Sequence, residues 1–348
     1  MSSKKETLLI IDGAGTSTAQ NVMHALGGYP YTISLDCSKI NVGKFFSDEF
    51  LECPKATSPD FVPFLHSLFE EKLKSFSKIL YVPIIDYGFK DISRTKFDDR
   101  VLVMLSPYKT INICDDKLEM SRFFRSFINP FSLPKDMDAI RVQAATFSDI
   151  IIKPKRNGRG SLDVSTCNDI TVFNAQKKYL GDNFYFQEKI SGREVTVDVL
   201  CTLGGRYLGS ICRERVEVKA GVCSKAKIFH SWYYDNIVKF ICSKLEFRGH
   251  INIQFIENTN GVYLIEINPR YSGGYNLSEA AGFHSVDVMR AMFYEWGKGT
   301  YDDSMDFRRY YGNPYDGGSR IDSLCYTEGY AYKYSGVEFE PVEFNFNK

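Results

Sequence analysis

No stretch of this chain is apolar over the ~20 residues that a bilayer-spanning helix needs, so nothing in the sequence predicts a membrane segment. No charge of one sign dominates either. Lys and Arg total 43 and Asp and Glu total 43, so no overall field draws the chain to nucleic acid or anionic lipid, and no basic run supplies a local one. The nine cysteines, Cys37, Cys53, Cys114, Cys167, Cys201, Cys212, Cys223, Cys242 and Cys325, form no C-x-x-C pair and no zinc-type spacing. Free thiols in a reducing cytosol explain an odd, scattered set. The first residues are polar and run straight into a short apolar strand, unlike an export signal. The sequence therefore predicts a cytoplasmic protein with small-molecule partners. G-x-x-x-x-G-K-[ST] is absent, which excludes a Walker loop.

Short apolar runs bounded by turn residues fill the first third. Leu8 to Ile11 ends at Asp12-Gly13-Ala14-Gly15, a helical stretch follows over Thr18 to Leu26, and Tyr31 to Leu35 ends at Asp36, which reads as βαβ. Ile79 to Val82 and Lys109 to Ile113 read as further strands, with a helix over Phe61 to Phe76. An open, mostly parallel α/β sheet is expected up to about residue 115. The glycine turn serves either as a tight βα connection or as an anion site. It lacks the third glycine of the dinucleotide fingerprint.

Beyond Cys114 the pattern becomes α+β. A helix is expected over Asp116 to Phe127. Strands are expected at Ile150 to Lys153, Phe184 to Gln187, Glu194 to Leu200 and Tyr207 to Cys212, the last two turned at Gly204-Gly205. A second hairpin, His250 to Ile256 with Val262 to Ile267, turns at Asn258-Thr259-Asn260-Gly261. Aromatic residues crowd the last forty or so positions, Tyr310 to Tyr334 among them.

Four segments carry the chemistry. Lys153 ends an apolar strand and opens into Asn157-Gly158-Arg159-Gly160-Ser161, a point charge followed by a flexible loop able to close over phosphates; a solvated basic hairpin is the plain alternative. Gln187-Glu188-Lys189-Ile190 ends the next strand, and Glu194 opens another in which Glu194, Thr196 and Asp198 face opposite to Val195, Val197 and Val199. Arg213 and Arg215, one residue apart on a strand, point the same way and suit an acceptor carboxylate or a phosphate, or else a solvated edge. Last, Glu266-Ile267-Asn268-Pro269-Arg270 follows the Asn260-Gly261 turn, with Gln254 on the partner strand. Period two aims Gln254, Glu266 and Asn268 at one side, an oxygen set that suits magnesium sharing its shell with phosphates. A Glu266–Arg270 ion pair is the bland alternative.

The N-terminal α/β half with its glycine turn, the Lys153 strand and loop, the Glu188 segment and then Gln254 with Glu266 to Arg270, in this order, resemble the ATP-grasp superfamily, particularly single-module relatives of the carbamoyl phosphate synthetase large subunit; the Arg213–Arg215 stretch also resembles one in ATP-grasp amino-acid ligases. The resemblance runs from about residue 8 to 290. It implies a Rossmann-like pre-ATP-grasp domain (1–115), then an ATP-grasp domain of two α+β subdomains, a lid (116–187) and a C-terminal part (188–305), and an aromatic-rich extension (306–348) that matches no family pattern. Residue by residue, it implies ATP held by Lys117, Lys153, the lid loop with Gly158, Gly160 and Ser161, the hinge Gln187 to Ile190, and Glu194. Magnesium, or manganese in its place, would sit on Gln254, Glu266 and Asn268. Arg270 and Lys153 would serve the transferred phosphoryl group, and Arg213 and Arg215 either the acceptor carboxylate or the γ-phosphate. The implied reaction is ADP-forming carboxylate–amine ligation through an acyl phosphate, with small-molecule carboxylate and amine substrates. The alternatives are a carbamoyl-phosphate-synthetase-like enzyme acting on bicarbonate and ammonia, and a nucleotide-binding protein without turnover. The lid departs from the family after Ser161, where Leu162-Asp163 stand in place of Lys-Gly-Val. A homodimer is the default expectation for a soluble oligomer.

Overall fold

A computed structural model describes residues 5–26, 31–137, 149–156, 163–219, 221–307, 328–333 and 337–341. The apolar run near the N-terminus forms β1 (Lys5–Ile11), followed by α1 (Ser17–Ala25), β2 (Thr32–Asp36), β3 (Glu49–Glu52), α2 (Phe61–Lys72), β4 (Phe76–Val82), α3 (Phe89–Arg94) and β5 (Val101–Val103). The strands make an all-parallel sheet of order β3-β2-β1-β4-β5. Its continuous apolar runs follow from burial on both faces. Leu8 and Ile10 pack with α2 through Phe61, Leu65 and Phe69. Leu9 and Ile11 pack on the opposite side with α1 and a later helix.

One expectation fails here. Lys109 to Ile113 is not a strand but lies within α4 (Tyr108–Asp115), and the fifth strand is the earlier Val101–Val103. Of the β-branched residues that suggested a strand, Thr110 and Ile111 bury one helical side together with Cys114, so tertiary burial overrides local propensity. α5 (Lys117–Arg125) follows at once, capped by Asp116, whose carboxylate accepts from the backbone N–H of Leu118 and Glu119.

The second part has two antiparallel sheets. A small one, order β7-β6-β8, comprises β6 (Ile150–Pro154), β7 (Ser165–Cys167) and β8 (Phe184–Glu188), with α6 (Ile170–Leu180) packed on it through Phe173. The large one contains β9 (Arg193–Cys201), β10 (Tyr207–Lys219), β11 (Val222–Phe229), β12 (Gly249–Asn258), β13 (Gly261–Asn268), β14 (Gly329–Lys333) and β15 (Val337–Pro341), in the order β13-β12-β9-β10-β11-β14-β15. Both expected hairpins form. The described part of the C-terminal extension adds β14 and β15 to this sheet, through pairs such as Ala226 with Ala331.

One face of the large sheet is apolar. Val195, Val197, Val199, Ile253 and Phe255 pack against α7 (Trp232–Lys244) and against Met120 and Phe124 of α5. α8 (Tyr275–Ala280) and α9 (Ser285–Lys298) lie between this sheet and the parallel one. α9 is apolar nearly all round, with Val286, Val288, Met289, Ala291, Met292 and Phe293 buried, as a helix packed on two sides must be. It joins Leu9 and Ile11 of the parallel sheet to Leu200 and Ile211 of the large one in a single core. That core fixes how the two sheets face each other. No helix among the described residues is long and apolar enough to cross a membrane.

Candidate functional site

The site is built on the face of the large sheet opposite Val195, Val197 and Val199. Two cavities open there. One, of about 330 Å³, lies between the small and large sheets, lined by Lys117, Lys153, Gln187, Glu188, Ile190, Glu194 and apolar residues including Ile151, Val218 and Ile265. The other, of about 600 Å³, lies between the large sheet and the loops of the parallel one, lined by Thr16, Ser17, Thr18, Asp86, Arg213, Asn252, Asn268, Arg270, Ser272 and Gly273. Arg215, Gly221, Gln254 and Glu266 line both. These sizes suit small molecules.

Glu266 stands at the centre. Residue 254 lies directly across from it in the β12–β13 ladder, and the Asn268 side-chain amide donates to its carboxylate at 3.0 Å and to Asn252 Oδ1 at 3.4 Å. Burial pushes the Glu266 pKa up, but Lys117, the Asn268 hydrogen bond, Lys153 and Arg270 outweigh it, so the carboxyl lies below its usual range and is ionised. Lys153 is 6% exposed. Burial, then neighbouring Lys117, pull its ammonium down to about 7 against the opposing attraction of Glu266. Two cations forced together beside one carboxylate store unsatisfied positive charge, which a polyphosphate relieves. Lys117 is placed by its backbone N–H, which donates to Lys155 O at 3.0 Å and ties α5 to the end of β6.

The apolar end of the smaller cavity carries the strand-edge groups. Gln187 is buried. Glu188 pairs with Lys135, through its backbone N–H at 3.2 Å and its ammonium at 3.4 Å. Lys189 turns its side chain to Asp149 at 3.4 Å and does not line the cavity. Glu194 reaches Arg215 at 3.5 Å. Gly158, Gly160 and Ser161 lie outside the described residues.

The arginines have firm partners. Arg270 does not pair with Glu266; its Nε donates to Asp86 at 2.9 Å, across 184 residues of sequence. Arg215 donates to Gln254 Oε1 at 3.0 Å and to Gly221 O at 3.1 Å. Arg213 is 2% exposed, so it is no solvated edge, and it pairs with equally buried Asp198 at 3.2 Å. Ser272 and Ser278 complete that group. Gly274 is required beside it, because a Cβ there would come within 3.0 Å of the Arg213 guanidinium. Asp198 is an anchor that its place in the Glu194, Thr196, Asp198 alternation signalled without giving its partner. Lys333 of β14 had no sequence signal at all; it donates to Gly273 O at 3.2 Å, close enough to Arg213 that burial and that arginine lower its pKa. In the N-terminal half, Thr16 and Asp86 line the larger cavity, whereas Gly15, in the glycine turn, donates its N–H to Asp36 at 2.7 Å. His250 is buried, pulled down to about 4 by desolvation, and stacked on Tyr271 at 4.3 Å, a packed neutral ring rather than a proton acceptor.

The donor set fits a hard divalent cation. Gln254, Glu266 and Asn268 would offer side-chain oxygens with a single ionised carboxylate, and no group of three or more His, Cys, Asp or Glu suited to a metal occurs among the described residues. A set this lean suits an ion whose remaining shell comes from water and phosphate.

The small and the large antiparallel sheets thus enclose a cleft with buried Lys153 on one side and Glu266 on the other, the arrangement that the ATP-grasp resemblance implies. Residues 182–303 match the family model described as ATP-grasp in the biosynthetic pathway with Ter operon. The carbamoyl phosphate synthase large chain of Thermoanaerobacter pseudethanolicus is 29% identical over 213 residues, 55% of this chain and 19% of that protein, so the chain spans about a fifth of the curated relative it matches. Two solved structures share the fold. N5-carboxyaminoimidazole synthetase from Staphylococcus aureus, complexed with ADP, superposes with TM-score 0.64 at 16% identity over 95% of this chain and 83% of that one. L-amino acid ligase from Bacillus licheniformis gives 0.58 at 12% identity over 87% and 78%. The family match thus lies on residues 182–303, and the likeness to the two solved structures is one of fold.

Proposed function

We propose that this protein is an ATP-dependent, ADP-forming ligase that activates a small carboxylic acid as an acyl phosphate and joins it to an amine. The observation that carries this reading is the wall of Arg215, Gln254 and Glu266 common to both cavities. A nucleotide in the smaller cavity, base toward Ile190 and Gln187, sugar toward Glu194 and phosphates toward Lys117 and Lys153, ends at the wall where the larger cavity begins. A carboxylate seated against the first amides of α1 and the arginines would meet it there.

Gln254, Glu266 and Asn268 would hold a magnesium ion, whose chemistry there would be to neutralise phosphate charge. The chain's own residues do the rest. Lys153 gains its full charge as phosphate approaches, Arg270 is aimed by Asp86, and Arg213 is aimed by Asp198. No protein nucleophile is needed, since the substrate carboxylate attacks phosphorus and the amine then attacks the acyl carbon, releasing phosphate. Enclosure between the two sheets keeps water from the acyl phosphate.

The names of the similar proteins favour the same class: an amino-acid ligase joins two amino acids, and the synthetase was solved with ADP. The test is ADP release from ATP and magnesium across a panel of carboxylic acids, each with and without amines, with hydroxylamine as a trap. A carboxylate that supports both ADP release and hydroxamate formation is the expected result. ADP release that never depends on a carboxylate would overturn the reading.

A further inference from the structure

We propose that the parallel-sheet domain carries a second ligand site, a pocket of about 290 Å³ that takes a neutral nucleoside, its ribose diol on Asp36 and its base against Pro54, Ile85 and Tyr87. The pocket shares no lining residue with the Lys153 cavity. It lies beyond the C-terminal ends of β1, β2, β3 and β4, represented by Gly13, Asp36, Cys53 and Ile85, which is where open α/β sheets bind ligands.

Two carboxylates border it, and their surroundings give them different roles. Asp12 is 1% exposed and spends its oxygens inside the domain, accepting from Tyr81 Oη at 2.6 Å, Ile84 N at 2.6 Å and Ile85 N at 3.1 Å. Asp36, at the end of β2 and 21 residues beyond Gly15, accepts one backbone N–H on each oxygen, from Gly15 at 2.7 Å and Ser38 at 2.9 Å. Those bonds fix the carboxylate while each oxygen keeps acceptor capacity for a hydroxyl. An acid in this place on a parallel sheet is suited to ribose hydroxyls.

The remaining wall is mainly apolar, through Pro54, Ala56, Phe61 and Ile85, with the exposed Lys55 and Thr57 beside them, one cation against two carboxylates. The Cys53 thiol, pushed up to about 12 by burial and by Asp12, adds no charge. A dinucleotide does not fit, because the path along the glycine turn is closed. Gly43 packs so tightly on Ala14 that a Cβ there would stand 2.0 Å from the Ala14 carbonyl oxygen. With two carboxylates at hand and that path shut, a polyphosphate is disfavoured and a free nucleoside is the fitting class. Ile85 and Tyr87 flank Asp86, the partner of Arg270, so an occupant presses on the loop that aims an arginine of the main site.

Cys37 lines this pocket and is exposed, which makes it a local reporter. Its alkylation by iodoacetamide, read by peptide mass spectrometry on the full chain, is expected to slow at least about fivefold with saturating adenosine, with Cys242 unchanged. 2′,3′-Dideoxyadenosine is expected to need at least about tenfold more for equal protection, having lost hydrogen bonds to a charged acceptor. Asp36→Asn and Thr57→Trp, the latter filling the mouth from an exposed position, are each expected to remove the protection. The assignment falls if adenosine gives no protection up to about 10 mM, if the dideoxy analogue protects equally, or if protection survives Thr57→Trp, which would place adenosine elsewhere.

Discussion

The two main sheets spend their residues differently. In the parallel sheet both faces are core, Leu8 and Ile10 on one side and Leu9 and Ile11 on the other, so polar chemistry is confined to the loops where strands end: Asp12, Asp36 and Asp86. In the antiparallel sheet only one face of the cleft-side strands is core. Thr196, Asp198, Arg213, Arg215, Gln254, Glu266 and Asn268 are therefore spread along strands rather than at their tips. A strand interior holds a side chain more rigidly than a loop does. The difference assigns the charge-handling groups to the rigid sheet and the adjustable contacts to the loops of the parallel one.

That contrast can be broken in graded ways. The largest effect is expected from Glu266→Gln on the sheet face, which removes the one ionised carboxylate of the oxygen set: a loss on the order of 10³-fold in kcat for ADP release, with an unchanged circular dichroism spectrum. A variant within tenfold of the wild type would show that the face does not carry the chemistry. Asp198→Ala should act on stability instead, because it strands the buried Arg213 guanidinium; urea unfolding is expected to report a loss of about 3–5 kcal/mol. A loss under about 1 kcal/mol would mean that Arg213 finds water or another partner.

Asp86→Asn tests a loop of the parallel sheet. Arg270 stays charged but is less well aimed, so kcat should fall about tenfold, while stability stays within about 1 kcal/mol for a part-exposed pair. Equal loss of stability and activity would make Asp86 a structural tie.

The mildest test concerns protons. Lys153 titrates near 7 in the empty cleft and near 10.5 when free. The unfolded chain therefore binds more protons than the native one across this window, and Lys153 makes native stability rise with pH from about 7 to 10.5. Phosphate in the cleft favours the charged form, so binding of ADP at pH 8 is expected to take up close to one proton per site, read by calorimetry in buffers of different ionisation enthalpy. Proton release, or none exchanged, would remove Lys153 from the phosphate site.

Much of this was legible beforehand where period and turn chemistry coincide. The Val195, Val197, Val199 alternation already put Glu194, Thr196 and Asp198 on the opposite face, and Asn260-Gly261 joined β12 to β13, but a register shift between Gln254 and Phe255, with no local signal, is what faces Gln254 with Glu266. Lys109 to Ile113 reads as a strand although it lies in a helix, because β-branched content over a few residues cannot distinguish a short strand from a buried helix.

By itself the sequence determined the strands of the two hairpins, their turns and the side of each strand that each polar residue takes, because those depend on neighbours two to four residues apart. Only the tertiary structure decided that Arg270 pairs with Asp86 rather than Glu266, that Asp198 holds Arg213, and that Lys117 and Lys153 crowd one carboxylate. Those are choices among charges far apart in the chain. They are made by the core around α9 and the packing of α5 that bring the sheets together, and no local preference encodes them.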